Sequence, residues 1–390
     1  MKHRNDYGLL TAAAVRERAN EMLELALDGQ VEGWRVNLPR LAEAADRTAA
    51  VTRETYPDLA IPFHARWRHF VAGDPQLPAS SPDRARAAFD LVIFSVLLDA
   101  GAGPDWRYRD VTSGGTFARS EGLAVASQRM FEAGTLNGSQ LGSLSAETLA
   151  QGFQASVENP LVGLEGRLAL LRRLGEQIDA RPDLFASVDA PRPGGLYDVL
   201  ARRAQQRRLP ATAILELVLE ALGPIWAHRL ELDGLPLGDC WRHPAIRRSD
   251  ASNGLVPLHK LSQWLSYSLI EPLQDAGIDV VDIDGLTGLA EYRNGGLFVD
   301  TGVLTLSNPL GASQPHHVSD PLIVAWRALT VALLDRMSPL VRGRLGVSEA
   351  EFPLARMLEG GSWAAGRRIA AERRPGGGPP FDIISDGTVF

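Results

Sequence analysis

Four clusters in this chain carry side chains whose types and spacing suit chemistry. The densest is Asp282-Ile283-Asp284-Gly285-Leu286-Thr287-Gly288-Leu289-Ala290-Glu291-Tyr292-Arg293-Asn294-Gly295-Gly296. Acids, a tyrosine, an arginine and an asparagine crowd there between glycine hinges, with Ile and Leu interleaved. A solvated turn does not need so many apolar neighbours. Glu291 and Arg293 are either a structural ion pair or a carboxylate kept ionised by a cation, with Tyr292 packed between them. In the second case Glu291 is a candidate general base, and Asp284 and Asn294 are polar groups available to a ligand.

The second cluster is Val256-Pro257-Leu258-His259-Lys260-Leu261-Ser262-Gln263-Trp264-Leu265. Proline suits the first turn of a helix, and Lys260, Gln263 and Trp264 then share one face, being three and four residues apart. Lys260 is one of only two lysines, with Lys2, among 40 basic residues. Where arginine is the default cation, an internal lysine either survives by chance, snorkelling at the surface, or supplies a compact ammonium to a pocket.

Two further clusters are rich in glycine. Ser113-Gly114-Gly115-Thr116-Phe117-Ala118-Arg119-Ser120-Glu121-Gly122 enters an apolar helix. A helix start preceded by glycines offers N–H groups to an anion, and Arg119 adds a planar fork. The same residues also read as a plain cap, with Ser120 capping and Glu121 well placed in the first turn. Asp99-Ala100-Gly101-Ala102-Gly103-Pro104-Asp105-Trp106-Arg107-Tyr108 leaves a buried helix; Trp106 and Tyr108 are either a flat ligand wall or the anchors of a surface turn.

Several familiar signatures are missing. No Gly-x-Gly-x-x-Gly, phosphate loop or Gly-x-Ser-x-Gly elbow occurs. His316-His317 lacks helical metal-ligand spacing and Cys240 is the single cysteine, so neither a metal centre nor an organic cofactor is expected.

The elements that must position these clusters are mostly helical. Helix formers fill Ala12–Leu27, Leu38–Thr52 and Asp83–Leu98, the last apolar nearly all round. Further helices are expected at Glu121–Ala133, Leu161–Ile178, Thr212–Leu230, Pro257–Leu273 and Pro321–Arg342, and a capping box at Ser348-Glu349-Ala350-Glu351 predicts another. Gly296–Leu304 reads equally as a short strand pair or a bent helix. Residues 374–390 read as a Gly/Pro tether followed by a terminal β-hairpin around Asp386-Gly387. The expected fold is mainly α: one helical unit over 1–373, with lobes 1–190 and 196–373 meeting at the Pro191–Gly195 loop.

At 390 residues the chain can bury a large core without disulfides. A net charge of −7 opposes binding to a phosphate backbone. A charged N-terminal stretch, no long apolar run and one cysteine predict a cytoplasmic protein without membrane or nucleic-acid partners.

The clusters also carry a resemblance. Ser113–Ala124, Leu258–Trp264 and Leu286–Gly296, together with Phe63–Phe70, Gly103–Tyr108 and Leu237–Trp241, resemble the uracil catabolism protein 4 family over about residues 10–370. That family belongs to a pathway breaking down uracil through ribosylurea-type intermediates. More distantly, Thr287–Arg293 and Lys260–Gln263 are similar to motifs of the queuosine salvage proteins, which hydrolyse the N-glycosidic bond of a nucleoside 5′-phosphate on a helical fold related to DNA glycosylases. This chain departs from them in having Glu291 where an aspartate stands, and Ser120 and Glu121 where aromatics stand, which fits a smaller base.

The resemblance implies a two-lobed, glycosylase-like fold and a cofactor-free N-glycoside hydrolase acting on a small ribosylated ureido compound. Glu291 then stabilises charge at the anomeric carbon and activates water, while Lys260 binds phosphate or polarises the leaving urea. Arg293 orients Glu291 or grips phosphate, Trp106 and Tyr108 stack on the substrate, and Arg119, Ser120 and Glu121 read its polar edge. Gln263, Asn294 and Asp284 complete the expected binding set. The alternatives are a non-catalytic partner or regulator of a uracil-degrading enzyme, a ring-opening amidohydrolase, and a nucleic-acid glycosylase.

Overall fold

A computed structural model describes residues 8–99, 101–187, 190–227, 229–308 and 314–384. Over these residues the chain is mainly α-helical. In chain order the helices are α1 (Ala12–Leu27), α2 (Leu41–Thr55), α3 (Ser81–Leu97), α4 (Arg119–Glu132), α5 (Ala146–Gly152), α6 (Leu164–Ala180), α7 (Pro182–Phe185), α8 (Gly195–Arg203), α9 (Ala211–Leu222), α10 (Lys260–Asp275), α11 (Tyr292–Asp300), α12 (Pro321–Leu345), α13 (Leu354–Met357) and α14 (Trp363–Arg373). Strands are short and pair in twos. β1 (Trp34–Val36) pairs with β10 (Leu304–Leu306), β2 (Tyr108–Arg109) with β3 (Thr116–Phe117), and β4 (Arg208–Pro210) with β9 (Asp279–Val281). β5 (Glu231–Leu232) pairs with β6 (Leu235–Pro236), β7 (Cys240–Arg242) with β8 (Leu255–Pro257), and β11 (His316–His317) with β12 (Ile383–Ile384). Among the described residues no helix is long and apolar enough to cross a membrane.

The described residues form two compact units. One gathers those within Met1–His64, Arg229–Gln263 and Asp282–Ile384; the other gathers those within Ala65–His228 and Trp264–Val281. The chain crosses between them at His64–Ala65, before Arg229, inside α10 and at Val281–Asp282, whereas the Pro191–Gly195 loop lies within the second unit. Sequence composition places a boundary at that loop because it is rich in proline and glycine. There, however, glycine serves close packing: a Cβ on Gly194 would lie 2.4 Å from the Arg86 carbonyl oxygen.

In the first unit α12 is the core helix. It starts with Pro321 in its first turn, ends at Gly346 in the left-handed region (φ 74°), and buries Ile323 through Leu334 before packing on α1, α2 and α11. Each fully buried aliphatic side chain contributes about 1.5–3 kcal/mol of hydrophobic stabilisation. In the second unit the same part is played by α3, buried continuously from Ala87 to Leu97 and packed on α4, α6 and α8.

Four expectations need correction. Pro257 ends β8 opposite Cys240, and the helix begins three residues later at Lys260. α9 stops at Leu222 rather than Leu230, because Gly223-Pro224 tightens the chain into a 3₁₀ turn over Gly223–Ile225. The Ser348–Glu351 box forms its hydrogen bonds, with the Ser348 hydroxyl donating to Glu351 at 2.6 Å, yet no helix grows from it. Pro353 disfavours helical backbone at Phe352 before it, and the next helix starts at Leu354. Finally, Ile383–Ile384 pairs in parallel with His316–His317 instead of folding back as a hairpin; the second arm, 385–390, lies outside the described residues. The expected tether is pinned: Arg374 binds both oxygens of Asp300 at 2.7 and 2.6 Å, and Phe381 is buried against Trp34 and Trp326. The undecided stretch after Gly296 is the end of α11 followed by β10.

Candidate active site

Glu291 is the N-cap of α11. Its backbone is extended (φ −124°, ψ 163°), which lets the side chain turn back over the first helical turn. One carboxylate oxygen accepts the Asn294 N–H at 2.6 Å and the other the Arg293 N–H at 2.7 Å. These donors are unsatisfied at any helix start, and a carboxylate there also meets the positive end of the helix dipole. The residue is 7% exposed. Burial pushes its carboxyl above the usual glutamate value, while the Lys260 charge, the two N–H donors and the Arg293 charge pull it back. A buried carboxyl raised by desolvation and pulled back by nearby charge and N–H donors is a candidate for proton transfer.

Glycine sets how deeply this cap is held. A Cβ on Gly295 would lie 2.8 Å from Trp326 and Thr330 atoms of α12, and a Cβ on Gly366 of α14 would lie 2.1 Å from the Arg293 carbonyl oxygen. Both neighbours therefore approach the α11 backbone directly, and the Trp326 indole N–H donates to the Gly295 carbonyl at 3.2 Å.

Lys260 opens α10, and a hairpin fixes where. The pairing of Cys240 with Pro257 leaves Asp239 beside Leu258–Lys260 at the open end of β7 and β8. The Asp239 carbonyl accepts the N–H groups of Leu258 (2.9 Å) and His259 (3.0 Å), and its carboxylate accepts that of Lys260 (2.9 Å). His259 adopts φ 48°, a costly conformation for a non-glycine residue, and its Nε2 lies 2.9 Å from the Leu9 carbonyl oxygen. The Asp239 carboxylate also accepts the Trp241 indole N–H at 2.7 Å and both terminal nitrogens of Arg327, each at 2.7 Å. Arg327 Nε donates to the Ala290 carbonyl at 3.1 Å. Burial by itself raises an aspartate, but the Arg327 charge and these hydrogen bonds hold Asp239 well below the usual range.

Gln263 follows one turn after Lys260. Its Oε1 accepts the Thr287 N–H at 3.3 Å, and its Nε2 is buried with no hydrogen-bond partner among the described residues. Asn294 Oδ1 and Arg293 Nε are likewise buried without a hydrogen-bond partner among the described residues. The Arg293 guanidinium stacks over Tyr292 (4.9 Å) and Trp363 (5.6 Å) and donates to the Gly377 carbonyl at 3.4 Å. Glu291 is thus held by backbone N–H groups, not by the Arg293 guanidinium. Asp284 is committed to structure: one oxygen accepts the Leu354 N–H at 2.6 Å and the other Arg342 at 2.8 Å.

The second unit holds the remaining sequence candidates. Trp106 is fully buried, its indole N–H donates to the Phe153 carbonyl at 3.0 Å, and its ring packs edge-on against Phe153. It packs as a core residue of the second unit, which matches the anchoring reading of the sequence rather than a ligand wall. Tyr108 is also buried, on β2. Arg119 is exposed, with φ 53° at the start of α4. The Ser120 hydroxyl donates to Asp99 at 2.6 Å, accepts from Arg66 at 2.9 Å and lies 2.9 Å from His69 Nδ1. Three partners saturate it. Glu121 adds its charge to the field at Arg66, which burial depresses.

Sequence reasoning gave no role to Asp239, Arg327, Arg66 or His69. A signal for one of them existed: Arg327 is the charge inside the apolar run Ile323-Val324-Ala325-Trp326-Arg327-Ala328-Leu329, and a buried charge needs a partner.

Comparison with known proteins now adds the lineage. Residues 8–390 match the model of a family described as "Protein of unknown function (DUF1688)". The chain belongs to this family. It is 36% identical to "Uracil catabolism protein 4" of Lachancea kluyveri, with 97% of each chain covered. It is 38% identical to "Protein urg3" of Schizosaccharomyces pombe, with 98% of each covered. The motif resemblance to the uracil catabolism protein 4 family therefore extends over nearly the whole of both chains.

Proposed function

We propose that this DUF1688 chain acts in uracil catabolism as an N-ribosyl hydrolase, cleaving a ribosylated ureido compound such as ribosylurea 5′-phosphate. The observation that carries the reading is Glu291: a buried carboxyl, raised by its surroundings, fixed by two N–H donors and under the charge of Lys260. The full-length likeness to a protein named for uracil catabolism supports the pathway.

The bond between the ureido nitrogen and C1′ breaks with its electron pair going to nitrogen, leaving oxocarbenium-like charge on the ribose. The Glu291 carboxylate stabilises that charge and takes a proton from the water whose oxygen bonds to C1′. The Lys260 ammonium polarises the urea oxygen, and the leaving nitrogen takes up one proton from solvent as Glu291 returns to solvent the proton it took from water. The products are urea and ribose or its phosphate, and only water is consumed. Gln263 Nε2, a donor, and Asn294 Oδ1, an acceptor, are buried without partners among the described residues, and a urea presents the matching carbonyl and N–H groups.

The test is to incubate the purified protein with ribosylurea 5′-phosphate, ribosylurea and uridine 5′-phosphate and to follow urea. Release from the first or second supports the reading. No release above background from any of the three rejects it.

A further inference from the structure

We propose that Asp239 and Arg327 are positioning residues, a buried brace that fixes the start of the Lys260 helix relative to the backbone bearing Glu291. The inference rests on Lys260 and Glu291 being the working pair. It follows from a continuous set of contacts within one unit. The Lys260 N–H donates to the Asp239 carboxylate at 2.9 Å, Arg327 grips both oxygens of that carboxylate at 2.7 Å, and Arg327 Nε donates to the Ala290 carbonyl at 3.1 Å, one residue before Glu291. The two candidate groups lie 31 positions apart in sequence, on separate elements, and this pair joins their backbones directly.

The residue types match that task. Guanidinium presents directed donors in one rigid plane, so a single side chain can hold a carboxylate with two nitrogens and a carbonyl with the third. Lysine has no such geometry. Arg327 stands on α12, where 1% of the residue is exposed and the neighbouring turns are fully buried, so its own position is set by core packing. On the other side, Asp239 uses its carbonyl as well as its carboxylate, taking three successive N–H groups from Leu258, His259 and Lys260. The left-handed backbone of His259 persists inside this grip. A pair serving only as core filler would not need to end on those two backbones.

The experiment reads Glu291 itself and uses no substrate. In full-length protein labelled at glutamate carboxyl carbons, the Glu291 resonance is assigned by its loss in Glu291→Gln and titrated by NMR. The charged groups acting on it are Lys260 and Arg293, so Lys260→Met marks the titration expected once the ammonium is withdrawn. Arg327→Lys, and the double variant Asp239→Asn with Arg327→Gln that leaves no orphan charge, are expected to raise the proton affinity of Glu291 roughly tenfold, one pH unit, towards the Lys260→Met value. Asp90→Asn, which loosens a buried ion pair with Arg192 in the other unit, is expected to leave it unchanged. A folded brace variant that titrates like the wild type overturns the proposal; should the double variant fail to fold, Arg327→Lys decides. Urea release is scored separately. Shifted titrations without hydrolysis keep the brace and remove the hydrolase reading, whereas hydrolysis at wild-type kcat in the variants with unmoved titrations removes the brace alone. Where hydrolysis occurs, loss confined to kcat with KM unchanged is the expected pattern.

Discussion

Replacing Glu291 by glutamine separates chemistry from stability, because the two should move in opposite directions. The amide keeps the size of the side chain and one acceptor oxygen for the N–H groups of Arg293 and Asn294, but it can neither ionise nor take a proton. If Glu291 performs acid–base work, urea release should fall by roughly 10²–10⁴-fold. Stability follows from burial. The folded-state pKa is raised above 4.5, so the protonated form favours folding. That contribution is fully present below the unfolded value and is lost as pH rises through the folded value; every tenfold of added proton affinity corresponds to about 1.4 kcal/mol. As pH falls towards the unfolded value the wild-type cap becomes uncharged like the variant's, and the two unfolding midpoints should converge. As pH rises through the folded value the wild type gains a buried charge that the variant lacks, and the variant should become the more stable of the two. The assay is thermal unfolding of both proteins from pH 4.5 to 8, alongside urea release at each pH. A stability difference that stays flat or shrinks with rising pH refutes the burial argument, and full activity in the variant removes Glu291 from the mechanism.

Three substitutions test the packing around this site and the burial of Trp106. Trp106→Phe loses the hydrogen bond to the Phe153 carbonyl and some buried area, costing about 1–3 kcal/mol; it should lower the unfolding midpoint while leaving the KM for the ureido substrate unchanged, and a raised KM would return Trp106 to the binding set. Gly366→Ala places a methyl 2.1 Å from the Arg293 carbonyl oxygen and should destabilise by about 1–3 kcal/mol, whereas Gly343→Ala on α12, with nothing within 4 Å, should stabilise by about 0.5–1 kcal/mol. Chemical denaturation of the two variants side by side checks the contrast.

Residue types and periodicity determined much of this protein. The composition of Ala12–Leu27 and the apolar run of Asp83–Leu98 anticipate α1 and α3 to within two residues at each end, since a helix buried on one face or on all faces announces itself in a 3.6-residue pattern. The glycine-bounded segment 282–296 marks where a polar group is enclosed, and both Glu291 and Lys260 were legible as chemically competent residues. Other features had no local signature. Trp106 among glycines reads as a ligand wall or as the anchor of a surface turn, and only packing against Phe153 and Gly122 makes it core. Asp284 looks as available as Glu291, yet Arg342 and Leu354, 58 and 70 positions away, occupy its oxygens.

The division has one physical cause. Helix formation, capping and turn chemistry depend on neighbours within about four residues, so the sequence alone marks most of the helical segments, although it leaves open the short helix that Glu291 caps. The proton affinity of that carboxyl depends on desolvation and on charges brought near it by distant segments. Lys260, 31 positions earlier, the α12 arginine that ties Asp239 to Ala290, and the glycines that let α12 and α14 close on α11 act on it only once the chain has folded.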